Sequence, residues 1–82
     1  MKNVTEAAIK EFVYSLDRTY VMVSRRDLAD KFQVKHCRSG KVDGKCEIKE
    51  ARGKAVHAYG FDEVGNVIAL CADGHIRQFI NS

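Results

Sequence analysis

The stretch VSRRDLADKFQVKHCRSGKVDGK, residues 23–45, begins like the first half of a helix-turn-helix and then runs into glycine and charge. Ser24 stands where a helix cap belongs, and Asp27 and Asp30 lie near the positive end of the helix it would start. Leu28, Ala29 and Phe32 make an apolar side, and Val34 tucks in after the turn. Residues 24–34 therefore resemble the leading half of a DNA-reading motif. A helix laid in the major groove needs about ten further residues, with polar readers and an apolar back. The chain offers KHCRSGKVDGK, in which only Cys37 and Val42 suit that back. Gly40 and Gly44 each cost roughly 1 kcal/mol inside a helix. The expectation is a basic loop over residues 35–45, with no recognition helix.

On the N-terminal side, Asn3 and Glu6 have capping-box spacing. Ala8, Ile9, Phe12, Val13 and Leu16 recur at three and four residues, the stripe of an amphipathic helix that ends near Asp17 and Arg18. Such a helix is weak alone, so its stripe must pack on something. TYVMV, residues 19–23, reads as a short strand or extended connector.

On the C-terminal side, four segments read as strands: KCEIKEA (45–51), AVHAYGF (55–61), NVIALCA (66–72) and HIRQFI (75–80). In the second, Ala55, His57, Tyr59 and Phe61 alternate onto one side. Arg52-Gly53 suits a two-residue turn, residues 62–65 a longer one, and Asp73-Gly74 is a strong hairpin signal. A two-residue turn there sets Cys71 opposite Ile76, Leu70 opposite Arg77 and Ile68 opposite Phe79. No proline excludes any strand from the sheet centre. The predicted class is α+β: two N-terminal helices followed by a four-stranded antiparallel β-meander. It forms one domain over residues 1–82, with a helical part (1–34), a basic loop (35–45) and the meander (46–81). Helix 1 covers one face of the sheet. Which face is not readable, because both sides of NVIALCA are apolar.

The 82 residues leave room for one small core, so a catalytic cleft would compete with that core for side chains. Apolar residues at 45% and charged residues at 30% fit a folded soluble chain. Glu6 and Glu11 interrupt the apolar N-terminus, which argues against an export signal and for the cytoplasm. An odd cysteine count, Cys37, Cys46 and Cys71, points the same way. The net charge of +3 is unevenly spread: residues 18–54 hold 11 Lys and Arg against 5 Asp and Glu. This basic band favours phosphate or an acidic protein face; the plainer reading is a solvated surface.

His36, Cys37, Cys46, His57, Cys71 and His75 lack the close pairing of zinc ligands. The simpler roles are buried thiols, a strand histidine and an exposed loop histidine. A Cys71–His57 nucleophile pair lacks a marked oxyanion site. No enzyme, metal or cofactor is expected, nor direct insertion into a membrane. Tyr59 and Phe61 fall on the apolar side of their strand, which favours core packing over base stacking. The expected partner-binding residues are Arg25, Arg26, Lys35, Arg38 and Lys41. The first function is stoichiometric inhibition or regulation of a partner protein; the alternative is a nucleic-acid-binding regulator using the same basic surface. An edge strand could also receive a partner's strand, and a small core leaves room for homo-oligomers.

The capped helix NVTEAAIKEFVYSL at residues 3–16 and the hairpin end CADGHIRQFINS at residues 71–82 resemble the rapid-lysis III proteins of T-even phages. The likeness rests on size and general character, and no residue role carries over by motif. It implies a cytoplasmic lysis-inhibition accessory, an antiholin, acting in the host cytoplasm. Its implied partner is the cytoplasmic N-terminal part of the phage holin.

Overall fold

Thr5 starts the first helix: its hydroxyl accepts the Ala8 N–H at 3.2 Å, and α1 runs Glu6–Tyr14. The computed structural model describes residues 4–38, 40–42 and 53–80. The cap is thus Thr5 rather than Asn3, which lies outside the described residues. The helix also stops earlier than its apolar stripe suggested. The Ser15 hydroxyl donates back to the Phe12 carbonyl at 2.6 Å. Asp17 then caps a separate 3-10 turn, Arg18–Tyr20, by accepting the Thr19 N–H at 3.0 Å.

After this turn the chain forms strand β1 (Met22–Val23), helix α2 (Arg26–Phe32) and strand β2 (Lys35–His36). Three further strands follow: β3 (Val56–Phe61), β4 (Val67–Cys71) and β5 (Ile76–Phe79). The sheet order is β2-β1-β3-β4-β5. The β1–β2 pair is parallel and the other neighbours are antiparallel. The α+β class holds. Over the described residues, the expected four-stranded antiparallel meander is corrected to a five-stranded mixed sheet, with two short strands interleaved among the helices. The strand expected over residues 45–51 lies outside the described residues, as do Gly44 and Arg52.

Strand β2 is the largest departure from expectation, because residues 35–36 were expected to lie in a loop. Gln33 reverses the chain after α2 with a left-handed backbone, φ 57°. Its own N–H donates to the Asp30 carbonyl, and the Val34 N–H donates to the Ala29 carbonyl at 2.9 Å. The chain then runs back beside β1, with Lys35 N–H donating to Val21 and Cys37 N–H to Val23. A left-handed conformation costs an L-residue with a side chain about 1–2 kcal/mol. Gln33→Gly should therefore raise the unfolding free energy by about 0.5–1 kcal/mol, allowing for glycine's greater unfolded-state freedom. Urea denaturation checks this, and an unchanged midpoint would show that the position carries no strain.

Successive side chains on a strand face opposite sides, so the register sorts the core into two layers. On one side, Val23, Ala58 and Leu70 pack with Ile9, Phe12 and Val13 of α1 and Leu28, Ala29 and Phe32 of α2. On the other, Tyr59, Val67, Ala69, Cys71 and Phe79 form a second buried cluster with Cys37, Val42 and Val56. The apolar character of both sides of β4 is thus explained. Gly60 faces the helical side in a tight place, where an added Cβ would sit 2.9 Å from Leu16 Cδ1 and 3.3 Å from Val21 Cγ2.

Two register details correct the sequence reading. An irregularity between Val56 and Ala58 breaks strict alternation in β3. Val56, rather than Ala55 or His57, therefore joins Tyr59 in the second cluster. In the last hairpin the partners are Leu70–Ile76, Ala69–Arg77, Ile68–Gln78 and Val67–Phe79, one residue off the expected pairing. The cause is the turn. Gly74 N–H donates to Cys71 C=O and Cys71 N–H to His75 C=O, both at 2.9 Å. Gly74, at φ 89°, is the extra left-handed residue of a three-residue loop. One residue of slip exchanges the faces of a strand. It is this slip that turns Phe79 inward, onto the side of Val67.

Carboxylates fasten both hairpin turns. Asp62 accepts the N–H groups of Val64 and Asn66 and the side-chain amides of Asn66 and Gln78, at 2.8–3.2 Å. Its desolvation opposes ionisation, but the bonds from Asn66, Val64 and Gln78 outweigh it and hold the carboxyl below its usual range. Asp73 is held further down, chiefly by the Arg77 guanidinium and then by His75. A carboxyl depressed in the folded state adds stability above its unfolded pKa, and loses it as pH falls through the folded value. The thermal midpoint should therefore begin to fall below about pH 4. Asp73→Asn should shrink that fall. An equal acid dependence in parent and variant would show that Asp73 is not among its sources.

Candidate docking end of the β1–α2–β2 unit

Two parallel strands joined by a helix bring their carboxyl ends to one side. Met22 pairs with Lys35 and Val23 with His36, so residues 24–26 and residues 37–38 leave the sheet side by side. His36 Nε2 lies 3.1 Å from the Ser24 carbonyl oxygen. The next residues stay close, because an added Cβ on Gly40 would sit 3.4 Å from Ser24 Cβ. The chain then turns back along β3. Gly40 C=O accepts the Val56 N–H at 2.6 Å, and Lys41 forms a bridge with Ala55. Arg25, Arg26, Arg38 and Lys41 are thereby gathered at one end of the sheet, and all four are exposed.

Their electrostatic states differ. Arg25 is already engaged, with Nε 3.2 Å from Asp27 Oδ1 and an Nη 2.5 Å from Oδ2. That bond raises the Arg25 pKa and, with the charge behind it, lowers that of Asp27. The pair is open to water, where such contacts are worth little. Arg26 and Arg38 have no carboxylate partner among the described residues. Lys35 is exposed on β2 but sits one level back from this end, beside Met22. Of the five residues singled out from the sequence, four converge and Lys35 flanks them.

Ser24 does not cap α2, as its position in sequence suggested. Its N–H donates to the His57 carbonyl at 2.9 Å, extending the β1–β3 pairing, and the N-cap position falls to Arg25 without a side-chain cap bond. No helix follows Val34 through the described residues up to Val42, so the helix-turn-helix likeness ends at the turn. Val42 is buried, with only 2% of its surface exposed.

One component of this end was not readable from the sequence. The N–H groups of Lys35 and Cys37 point at β1, so the His36 peptide faces outward from the edge of the sheet. Only the nonlocal pairing of β1 with β2 creates that edge. The remaining candidates are dispersed. Cys37 and Cys71 are buried thiols, and Cys37 Sγ lies 3.4 Å from the Lys41 carbonyl oxygen. Tyr59 is buried in the second cluster. Among the described residues, no three His, Cys, Asp or Glu side chains come together as a metal site would need, and no helix is long and apolar enough to cross a membrane. Comparison with protein-family models, curated proteins and solved structures finds no match to this chain.

Proposed function

We propose that this protein is a small, non-enzymatic cytoplasmic regulator that inhibits a partner protein by binding it stoichiometrically. The docking surface is the basic end of the β1–α2–β2 unit. What carries the reading is the convergence of Arg26 and Arg38 beside an open strand edge, with no carboxylate of the described residues to neutralise either. Guanidinium groups pair carboxylates in a fixed two-point geometry. Exposed charges chiefly set encounter rate and selectivity, and the outward His36 peptide adds main-chain bonding to a partner strand. An acidic, extended polypeptide segment suits this combination. The resemblance to rapid-lysis III proteins makes the cytoplasmic N-terminal segment of a T-even phage holin the first partner, with lysis delay as the outcome.

The same guanidinium groups suit phosphate, so duplex DNA is the competing ligand. With β2 where a recognition helix would lie, base reading in the major groove has no element among the described residues to perform it. Calorimetric titration of the full chain with a synthetic holin N-terminal segment, and separately with a short DNA duplex, tests the reading. The expected result is saturable one-to-one binding of the segment, with DNA retained only at low salt. DNA binding with a steep salt dependence and no heat from the segment would replace this function by the nucleic-acid alternative.

A further inference from the structure

Helix α1 covers only part of its side of the sheet. It packs chiefly on β3, and β4 and β5 continue the sheet beyond it. Leu70 and Ile68 of β4 belong to the helical side, and their partners in β5 are Ile76 and Gln78. Residues directly opposite on two antiparallel strands share a face. Ile76, 62% exposed, therefore extends the apolar surface past the helix. A groove follows the gap between α1 and the β4–β5 hairpin. Toward the helix start it measures about 300 Å³ and runs over Leu70 between Phe12 and Ile76. Toward the helix end it measures about 280 Å³ and is walled by Leu16, Tyr20 and Ile68. The two parts meet at Ser15. From Ala8 to Ser15 a helix advances about 10 Å, or two turns. The rim carries charge of one sign: Glu11 borders the first part, and Asp17, Asp62 and Glu63 border the second. No Lys or Arg is among the described residues that line either part. Lys10 and Arg18 lie on the other flank of α1, over the ring of Tyr14, which meets Phe32 of α2.

We infer that this groove receives a basic amphipathic α-helix of a partner protein, laid beside α1 with its apolar stripe inward and lysine or arginine along its flanks. Charge and shape select this occupant. An acidic or phosphate-bearing ligand would meet four carboxylates. A partner strand needs a sheet edge, whereas this groove lies on a sheet face next to a helix. Anchors at i, i+3 or i+4 and i+7 span about 10 Å on one side of a helix, the length available here. Lysine and arginine stems can lie along the apolar walls while their heads reach the rim. The Ser15 hydroxyl is already committed to the Phe12 carbonyl, so apolar contact and rim charge carry the recognition. The surface is separate from the basic end and does not depend on it. Because β1 and β3 are antiparallel, Asp17, Asp62 and Glu63 stand at the end of the sheet remote from Arg26 and Arg38. The chain can then hold an acidic segment at one site and a basic helix at the other.

Magnetic resonance titration of the ¹⁵N-labelled full chain with two synthetic peptides of about 18 residues, long enough to form a helix, tests the inference. Both carry leucine at helical spacing; lysine fills the remaining positions of one and glutamate those of the other. The lysine peptide should bind saturably at low salt, shift the amides of Glu11, Ser15, Ile68 and Ile76, and gain helicity by circular dichroism. The glutamate peptide should occupy the groove at least about tenfold more weakly. The net charge of +3 favours the glutamate peptide overall, so a preference for lysine must arise in the groove itself. Glu11→Lys/Glu63→Lys, at two exposed positions, should weaken the lysine peptide at least about tenfold. Ile76→Ser should weaken it as well, and circular dichroism verifies that each variant is folded. Absence of saturable binding by the lysine peptide overturns the inference, as does equal affinity of the groove for both peptides or unchanged affinity in the folded variants. Concentration-dependent shifts of the same amides without peptide would assign the groove to a second copy and overturn it too.

Discussion

Replacing Phe32 with alanine is expected to lower the unfolding free energy by about 3–5 kcal/mol. A chain of 82 residues has roughly 4–12 kcal/mol in total, so this variant should be close to unfolding at room temperature. Three separate contacts meet at Phe32. Its ring, 2% exposed, lies in the core between the helices and the sheet. Tyr14 meets it edge-on at 6.1 Å between centroids. Its carbonyl, one of the unsatisfied acceptors at the end of α2, accepts a bond from the Arg18 guanidinium. Arg18 in turn lies over the Tyr14 ring at 4.8 Å. Truncation removes the Phe32 ring from the joint between α1 and α2; the apolar contacts of Ile9, Phe12 and Val13 with Leu28 and Ala29, and the exposed Lys31–Glu6 pair at 2.9 Å, remain. Urea denaturation followed by circular dichroism measures the loss. A cost below about 1 kcal/mol would mean that the two helices pack independently of this side chain.

Reversing charge at Arg26 and Arg38 together should weaken binding of the acidic partner segment by at least about a hundredfold, while leaving the unfolding midpoint within the range of surface substitutions, about 0.5 kcal/mol. Neither side chain has a hydrogen bond or ion pair to lose among the described residues. Glutamate at both positions replaces attraction with repulsion. Arg25→Glu should have a smaller effect on binding, because Asp27 already engages Arg25, and should also set two carboxylates close together at the start of α2. Titration calorimetry of the double and single variants separates these outcomes. Equal losses from Arg25 and Arg38 would show that the surface is centred elsewhere.

How far the sequence anticipated this arrangement depends on what kind of force forms each part. The stripe through Ile9, Phe12 and Val13 is written in helical spacing, and those residues are the buried ones of α1. Met22 and Val23, read as a short strand or connector, are a strand. The glycine-bearing turns at residues 62–65 and 73–74 both join antiparallel strands. Strand β2 has no such signature, because Lys35 and His36 are both exposed and carry no apolar alternation. It exists because the left-handed Gln33 returns the chain to β1, a backbone event where glycine or asparagine is the usual sign. The register of the final hairpin escaped for a similar reason: Asp73-Gly74 is compatible with a two- or three-residue loop, and only the bond from Cys71 to His75 distinguishes them. For the docking end, the charges were readable and their meeting place was not. Arg26 and Arg38 are twelve positions apart, and a nonlocal strand pair sets the ends of their segments side by side.

The basic end of the β1–α2–β2 unit is the proposed place where another polypeptide is held. Nuclear magnetic resonance of the ¹⁵N-labelled chain, titrated with the holin N-terminal segment, reports that place residue by residue. The prediction is saturable shifts concentrated at residues 24–27 and 36–41, with the His36 amide among the largest. Saturable shifts confined to β4, β5 and α1, with residues 24–27 and 36–41 unmoved, would contradict it.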